Sequence, residues 1–122
     1  MKKINITITG ALGRMGQILI NQISKNKNLK LYSLTDLKVG AGIKGIKIQN
    51  NSLEAFKKTD VIIDFSRPKS SIEILNLAKK LKKKVIIGTT GFTKKEENII
   101  QNFKRSLRSW KINNNICFFK SL

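Results

Sequence analysis

The chain has 122 residues, of which 40% are hydrophobic, and this length and composition are typical of one globular domain with its own core. No apolar run approaches the roughly 20 residues that a membrane span needs, and no secretory signal peptide opens the chain. The single cysteine, Cys117, excludes an internal disulfide and fits a reducing compartment. We therefore expect a cytoplasmic protein with no membrane partner.

The charge of the chain is strongly positive, at +18, because 25 lysines and arginines face only 7 acidic residues. A basic domain can bind nucleic acid through the phosphates. The lysines are spread over several stretches, however, and the few aromatic residues are not interleaved with them as a base-stacking surface requires. We predict a lysine-rich solvated surface and no nucleic-acid partner, although such a surface favours anionic ligands.

The opening stretch combines a strand with a glycine turn. Isoleucines alternate in residues 4–9, which predicts a strand, and Gly10, Gly13 and Gly16 follow at the start of a helical pattern. Strand, glycine turn and helix begin a dinucleotide-binding unit. In that unit Gly10 permits the turn, Gly13 exposes backbone to a pyrophosphate, and Gly16 permits close packing of the helix on the sheet. The alternative is an ordinary strand-to-helix turn with no ligand.

Two charged residues near this turn fit a nucleotide. Arg14 lies in the first helical turn, where a cation is unfavourable unless an anion faces it, so we assign Arg14 to a phosphate. Asp36 follows Gly16 by 20 residues, at the end of the second predicted strand, where a carboxylate accepts hydrogen bonds from the adenosine ribose. The alternative is that Asp36 only ends the strand, as aspartates commonly do at turns, and binds no ligand. Lys38 could meet a 2′-phosphate, so NADH and NADPH could both be accepted.

The remaining elements follow from periodicity and capping signals. A glycine-rich connector over residues 39–45 is expected to be mobile, with a short extended piece at 46–48. Ser52 is the predicted N-cap of a short helix, Pro68 begins the next helix, and Thr93 with Glu96 forms a capping box. The predicted elements are strand 4–9, helix 14–25, strand 29–34, helix 53–57, strand 60–65, helix 68–81, strand 84–87 and helix 94–104. The predicted inward-facing helical residues are Met15, Leu19, Ile20, Ile23, Ile72, Leu75, Leu77, Ala78, Leu81, Ile99, Ile100 and Phe103.

This alternation of strands and helices predicts an α/β fold, an open doubly wound parallel sheet of Rossmann-like type in a single domain. Ligands bind such sheets at the carboxyl ends of the strands. The segments that fall at those ends are small or polar, namely residues 10–16, Asp36, 66–68 and 88–91. Because these segments share one edge of the sheet, we expect a cleft there.

Three motifs together resemble the N-terminal domain of dihydrodipicolinate reductase over about residues 1–105. They are Gly10-Ala-Leu-Gly-Arg-Met-Gly16, Asp64-Phe-Ser-Arg-Pro68 and Gly88-Thr-Thr-Gly-Phe92. The resemblance implies reduction of a small-molecule substrate, the cyclic imine 4-hydroxy-tetrahydrodipicolinate, by NADH or NADPH in diaminopimelate and lysine biosynthesis. It implies that Gly10, Ala11, Leu12, Gly13, Arg14 and Met15 hold the pyrophosphate, Asp36 the adenosine ribose, and Gly88, Thr89 and Thr90 the nicotinamide and its ribose.

The same resemblance also limits the cofactor preference and the catalytic residues that can be assigned to this chain. Leu37 stands where the family often has an arginine for the 2′-phosphate, which argues against a strong NADPH preference. The family's general acid lies in an H-H-x-x-K segment of a following sheet domain, through which family members are commonly homotetramers, and this chain has no histidine. No catalytic residue and no metal ligand is assigned in this chain.

The end of the chain departs from the family pattern. We expect residues 1–106 to form the dinucleotide-binding domain and 107–122 a divergent tail, in which residues 116–119 could add one strand. A frameshift or premature stop would explain the tail, and a genuine divergent tail that closes the sheet is the alternative. We expect such a chain to bind NAD(P)H without turning over substrate.

Two other classes of protein stay open from the sequence. One is another Rossmann oxidoreductase, of homoserine or aspartate-semialdehyde dehydrogenase type, although the first and third motifs fit these enzymes less well. The other is a non-enzymatic basic nucleotide-binding module.

Overall fold

The structure of the chain is a computed structural model, which describes residues 2–106 and 116–118. Strands and helices alternate along this part of the chain. The strands are β1 (Ile4–Thr9), β2 (Leu29–Thr35), β3 (Gly42–Ile43), β4 (Ile46–Gln49), β5 (Val61–Asp64), β6 (Lys84–Ile87) and β7 (Ile116–Phe118). The helices are α1 (Arg14–Lys25), α2 (Leu53–Phe56), α3 (Pro68–Leu81) and α4 (Lys94–Ser106).

The strands within the described residues form one seven-stranded sheet in the order β3-β4-β2-β1-β5-β6-β7. Each neighbouring pair is parallel except β3 with β4. From β1 the chain moves in one direction to β2 and β4, and then returns to the other side of β1 at β5. The predicted doubly wound α/β fold is confirmed, and its strand order reverses between β1 and β5, where such sheets bind ligands.

Helices cover both faces of the sheet. On one face, Ile20 and Ile23 of α1 pack with Ile6 and Ile8 of β1. On the other face, α2, α3 and α4 pack over β5 and β6 in a second cluster. The buried members of this second cluster are Ala55, Phe56, Ile62, Ile74, Leu75, Ala78, Val85, Ile87 and Ile100. This arrangement follows from the alternation of β1, whose isoleucines face α1 while its threonines face the opposite side.

The threonine side of the sheet is polar as well as buried. Thr7 and Ser33 share a hydroxyl–hydroxyl hydrogen bond of 2.8 Å, and Ser33 donates to the carbonyl of Ala55 in α2 at 2.7 Å. Thr9, two residues further along the same strand, is 1% exposed and donates to Asp64. Buried hydroxyls therefore lead along this face toward the carboxyl ends of β1 and β5.

The glycine-rich connector differs from its prediction, because it contains a β-hairpin. Gly42–Ile43 pairs antiparallel with Ile46–Gln49, and the loop residues Lys44 and Gly45 both have positive φ, at 55° and 79°. Two successive positive φ angles are typical of the type I′ turn, which fits the twist of paired strands. The extended piece predicted at 46–48 is confirmed within β4, which also pairs parallel with β2.

The predicted buried faces of the helices are confirmed in part. In α1, Gly16, Ile20 and Ile23 are buried, whereas Met15 is 39% exposed. Met15 lies one residue before the buried row, which rotates its side chain by about 100° around the helix. In α4, Ile100 is buried, but its neighbour Ile99 is exposed for the same reason. Ile74 of α3 is fully buried and was absent from the prediction.

The predicted caps are confirmed. Ser52 accepts a hydrogen bond from the Ala55 N–H at the start of α2. At α4, Thr93 and Glu96 exchange side chain–backbone hydrogen bonds of 2.9 and 3.1 Å, which is the capping box. The strand suggested near the chain end is present as β7, parallel to β6, while Phe119 lies outside the described residues. Among the helices of the described residues, none has the length and apolarity to cross a bilayer.

Candidate functional site

A cavity of about 400 Å³ lies at the carboxyl ends of β1, β2 and β5. It is lined by Gly10, Leu12, Gly13, Thr35, Asp36, Leu37, Lys38, Asn51, Phe65, Ser66, Arg67 and Ser70. The cavity is therefore at the edge of the sheet where the strand order reverses. It brings together three of the four segments that were expected to form a cleft, the exception being residues 88–91.

The glycine turn at the cavity is held by contacts that leave no room for side chains at two of its positions. Gly10 has φ +69°, and a Cβ on it would lie 2.3 Å from the carbonyl oxygen of Phe65. A Cβ on Gly16 would lie 2.2 Å from the carbonyl oxygen of Gly10. Gly10 and Gly16 are thus required by the packing of the turn. The close approach at Gly16 is to the turn itself and not to the body of the sheet.

Gly13 is less constrained than Gly10 and Gly16 by the described part of the chain. Its φ of −75° is ordinary, it is exposed, and a Cβ would meet only the Gly10 carbonyl oxygen, at 3.3 Å. Gly13 also donates its N–H to that oxygen at 3.0 Å, so its Cα lies on the outside of a tight turn. The bare backbone at Gly13 thus lines the cavity without serving the core.

The residues next to Gly10 and Gly13 differ in how far they are exposed to solvent. Ala11 is fully buried in the α1-side core, and Leu12 is half-buried. Arg14 and Met15, in the first turn of α1, are exposed, and that turn contains no acidic residue. The positive end of the α1 dipole therefore has no carboxylate from its own first turn beside it, a setting that favours an anion.

Asp36 contacts the glycine turn directly. Its Oδ2 accepts a hydrogen bond of 2.8 Å from the Leu12 N–H, and its Oδ1 accepts one of 2.7 Å from the Leu37 N–H. Each carboxylate oxygen can accept about two hydrogen bonds, so one site on each oxygen is left for a further donor. Asp36 is half-buried at the cavity wall, where the hydroxyls of a ribose could supply those donors.

A second carboxylate, Asp64 at the end of β5, forms a buried hydrogen-bond network that sequence reasoning missed. Asp64 is fully buried. Its Oδ1 accepts from the Thr9 hydroxyl at 2.7 Å, from the Ser66 N–H at 3.1 Å and from the Ser66 hydroxyl. Its Oδ2 accepts from the Ser71 hydroxyl and from the Thr89 hydroxyl, the latter at 3.3 Å. In the sequence analysis Asp64 was noted only as the first residue of the second motif, and no role was assigned to it.

The segment over residues 88–90 lies next to this network. Gly88 donates its N–H to the Asp64 carbonyl oxygen at 2.7 Å, and a Cβ on Gly88 would lie 2.1 Å from the ring of Phe65. The aromatic ring that requires a glycine here is thus Phe65 of the protein itself. The hydroxyl of Thr89 is turned inward, because it also accepts from the Ser66 N–H at 3.0 Å, whereas Thr90 is exposed. The contact of these three residues with a cofactor stays a prediction.

The charges around the cavity suit an anionic ligand. Lys38 and Arg67 line it and are exposed, and among the described residues Asp36 is the single acidic one in its lining. Phosphate groups are attracted by such a set, while the carboxylate is already engaged by two backbone N–H groups. Within the described residues, no group of three or more metal-ligating side chains lies close enough to hold a metal ion.

The sheet order, the glycine turn and the carboxylate at the end of β2 define a dinucleotide-binding domain of the Rossmann class. Residues 4–115 match the family described as dihydrodipicolinate reductase, N-terminus, and the chain belongs to this family. The predicted resemblance is confirmed. The match extends past residue 106, so the domain boundary placed there stays a prediction.

Individual relatives agree with the family. The chain is 52% identical over 115 residues to a 4-hydroxy-tetrahydrodipicolinate reductase of Pelagibacter ubique, covering 93% of this chain and 45% of that protein. Its structure is similar to that of a dipicolinate-bound dihydrodipicolinate reductase from Paenisporosarcina, with a TM-score of 0.67 at 24% identity over 85% of this chain and 44% of the other. The chain thus spans less than half the length of these relatives.

Similarity of fold extends to other dehydrogenases. A homoserine dehydrogenase of S. aureus has a TM-score of 0.73 over 98% of this chain and 33% of the other, at 15% identity. At that identity the likeness concerns the fold alone. Dihydrodipicolinate reductases are NADH- or NADPH-dependent oxidoreductases of lysine biosynthesis, and the matched N-terminal part is their dinucleotide-binding domain.

Proposed function

We propose that this chain is the NAD(P)H-binding part of a 4-hydroxy-tetrahydrodipicolinate reductase in diaminopimelate and lysine biosynthesis, acting in the cytoplasm. The observation that carries the proposal is the cavity at the strand-order reversal, where the bare backbone of Gly13 and the carboxylate of Asp36 share one wall. Because the chain belongs to a reductase family, we assign this cavity to a reduction reaction. When bound, the nicotinamide supplies the hydride.

The residues of the cavity fit such a cofactor in shape and in charge. Within the turn, Gly13 offers exposed backbone to a pyrophosphate, next to the positive end of α1 and to Arg14. Asp36 keeps acceptor capacity for ribose hydroxyls after its two backbone hydrogen bonds. The proposed nicotinamide end lies toward Gly88, Thr89 and Thr90, which join the cavity wall through the hydrogen bond between Thr89 and Ser66.

Turnover needs groups that these 122 residues do not include. Hydride transfer requires the cofactor and the substrate to be positioned together. The family resemblance assigns the general acid to a histidine segment, and this sequence has no histidine. We therefore infer that the polypeptide binds the cofactor but does not reduce substrate by itself, and that any homotetramer is built through parts of the family protein outside the matched region.

Titration of the full chain with NADH, followed by nicotinamide fluorescence or calorimetry, tests the proposal. Wild-type protein should bind, and Gly13→Val should weaken binding by about tenfold or more, because the added side chain occupies the space of the pyrophosphate. Gly13→Val should lower the free energy of unfolding by only about 1 kcal/mol, since Gly13 has an ordinary φ and a Cβ there would have one close neighbour, the Gly10 carbonyl oxygen at 3.3 Å. No binding of wild-type protein at millimolar NADH would contradict the proposal.

Two further measurements separate the alternatives. A coupled assay with the cyclic imine should show no turnover by the chain alone, and appreciable turnover would mean that catalytic groups lie within these residues. Retention on DNA, compared with retention on immobilised nucleotide across a salt gradient, distinguishes a dinucleotide domain from a nucleic-acid-binding module. We expect retention on nucleotide to persist at salt concentrations that release the chain from DNA.

A further inference from the structure

We propose that Asp64 is a positioning residue that fixes the segment at residues 88–90 against the cavity wall, and that it thereby sets the affinity for the nicotinamide half of the cofactor. This inference rests on the proposed function. Asp64 does not line the cavity, and its role is carried through Ser66 and Thr89.

The network of Asp64 joins four separate parts of the fold. Thr9 ends β1 and directly precedes the glycine turn, Ser66 lines the cavity after β5, and Ser71 lies in α3. Thr89 belongs to the segment after β6. A single carboxylate thus receives hydrogen bonds from groups that lie up to 55 residues away from it in sequence. An acceptor with two oxygens and no donor is suited to this position, because the side-chain donors around it are hydroxyls.

Thr89 connects Asp64 to the cavity wall, and the proposed effect on the cofactor depends on this connection. Its hydroxyl donates to Asp64 Oδ2 at 3.3 Å and accepts from the Ser66 N–H at 3.0 Å, so it bridges the carboxylate and the cavity wall. Thr89 is only 9% exposed, and its hydroxyl is used within the protein. The orientation of the adjacent backbone at Thr90 depends on this internal bond, while Gly88 is also held by its own N–H, which donates to the Asp64 carbonyl oxygen at 2.7 Å. That backbone is where the nicotinamide end of the cofactor is proposed to lie.

The other half of the cofactor site is held by different contacts. The glycine turn is tied to β2 by the Leu12–Asp36 hydrogen bond and by the Ala11 N–H, which donates to the Thr35 carbonyl oxygen at 3.1 Å. These bonds do not involve Asp64. Loss of the Asp64 acceptors should therefore weaken binding of the nicotinamide half while leaving that of the ADP-ribose half almost unchanged.

The experiment compares the dissociation constants of NADH and ADP-ribose for the full chain and its variants. Asp64→Asn replaces one acceptor oxygen with an NH₂ donor, so it should weaken NADH binding by about tenfold and ADP-ribose binding by no more than about twofold. Thr89→Val removes only the bridging hydroxyl and should give the same selective loss. It carries the test by itself if Asp64→Asn does not fold.

Thr7→Val is the matched control. Thr7 is a fully buried threonine on the same face of β1 as Thr9, and its hydrogen bond to Ser33 does not involve Asp64. Its loss should lower thermal stability and leave both dissociation constants unchanged. Equal weakening of NADH and ADP-ribose by Thr89→Val, or no weakening of either, would overturn the positioning role. Failure of wild-type protein to bind ADP-ribose would instead overturn the proposed function, and this inference with it.

Discussion

The backbone N–H of Leu12 donates to Asp36 Oδ2 at 2.8 Å, so the glycine turn after β1 and the carboxylate after β2 are in direct contact. The Leu37 N–H occupies the other carboxylate oxygen at 2.7 Å. Asp36 therefore has a structural task in addition to the proposed contact with ribose. It holds the loop that carries Gly13 at a fixed distance from the end of β2.

Asp36→Asn should lower both stability and cofactor affinity. An asparagine offers one acceptor oxygen in place of two, so one of the two backbone N–H groups loses its partner, at a cost of about 1–3 kcal/mol in the free energy of unfolding. The ribose of NADH loses an acceptor as well, and we expect its dissociation constant to rise by about tenfold. Urea denaturation and NADH titration measure the two effects.

Asp60→Asn is the control for this substitution. Asp60 accepts the Asn5 N–H at 2.7 Å, but it lies at the amino end of β5, at the opposite edge of the sheet from the cavity. The variant should lose stability without any change in NADH affinity. If Asp36→Asn behaved in the same way, the proposed contact of Asp36 with the ribose would be wrong.

Gly88 and Phe65 should be energetically coupled. A Cβ on Gly88 would lie 2.1 Å from the Phe65 ring, so Gly88→Ala should destabilise the protein by about 1–3 kcal/mol through overpacking. In a Phe65→Ala background the ring is gone, and the same substitution should cost less than about 1 kcal/mol. Denaturation curves for the wild type, the two single variants and the double variant complete the cycle.

Gly42→Ala serves as the comparison for that cycle. Gly42 lies on the outermost strand β3, and a Cβ there would have the Ile46 carbonyl oxygen of β4 as its nearest neighbour, at 3.2 Å. Its effect should be the same with or without the Phe65 ring, because distant sites are additive. Additivity of Gly88→Ala with Phe65→Ala would show that the ring moves away from residue 88 at little cost.

Lys38 should favour NADPH over NADH. Lys38 lines the cavity two residues after Asp36, and an exposed charge pair with a 2′-phosphate is worth up to about 1 kcal/mol. Lys38→Ala should therefore weaken NADPH binding by about threefold at low salt and leave NADH binding unchanged. The difference should shrink at high ionic strength because of screening.

Lys47→Ala removes an equal charge from β4, outside the cavity lining, and should affect the two cofactors alike. An equal loss of NADH and NADPH affinity in Lys38→Ala would mean that this lysine acts through general attraction. Its proposed proximity to a 2′-phosphate would then be wrong.

Most elements of the fold were predictable because their signals are local. Alternating isoleucines identified β1, and the helix from Arg14 to Lys25 was predicted with the bounds that the structure gives. The capping residues Ser52 and Thr93 located the starts of two helices. Such signals depend on periodicity and on hydrogen bonds within a few residues, and both can be read along the chain.

The hairpin of β3 and β4 was not predictable in the same way. A strand of two residues has no period to detect, and the turn uses Lys44 at a positive φ, where asparagine or aspartate is the usual signal. The exposure of Met15 and of Ile99 was missed for a related reason. Periodicity identifies an apolar stripe but does not define its edges to within one residue.

The candidate site was predictable in its parts but not in its connections. The glycine turn and Asp36 were recognised separately, each from its place after a strand. The role of Asp64 depends on partners such as Thr9 and Thr89, which lie 55 and 25 residues away. Contacts of this range exist only once the parallel strands have aligned, so no local pattern reports them.

The two-residue strand β3 also determines how one margin of the sheet meets other molecules. Exposed sheet edges present rows of unpaired amide and carbonyl groups that can recruit a strand from another chain. Here the last strand at this margin is only Gly42–Ile43, followed by a reversal at Lys44 that places a charge at its tip. So short and charged a margin is a poor template for strand addition, which protects this side of the sheet from self-association.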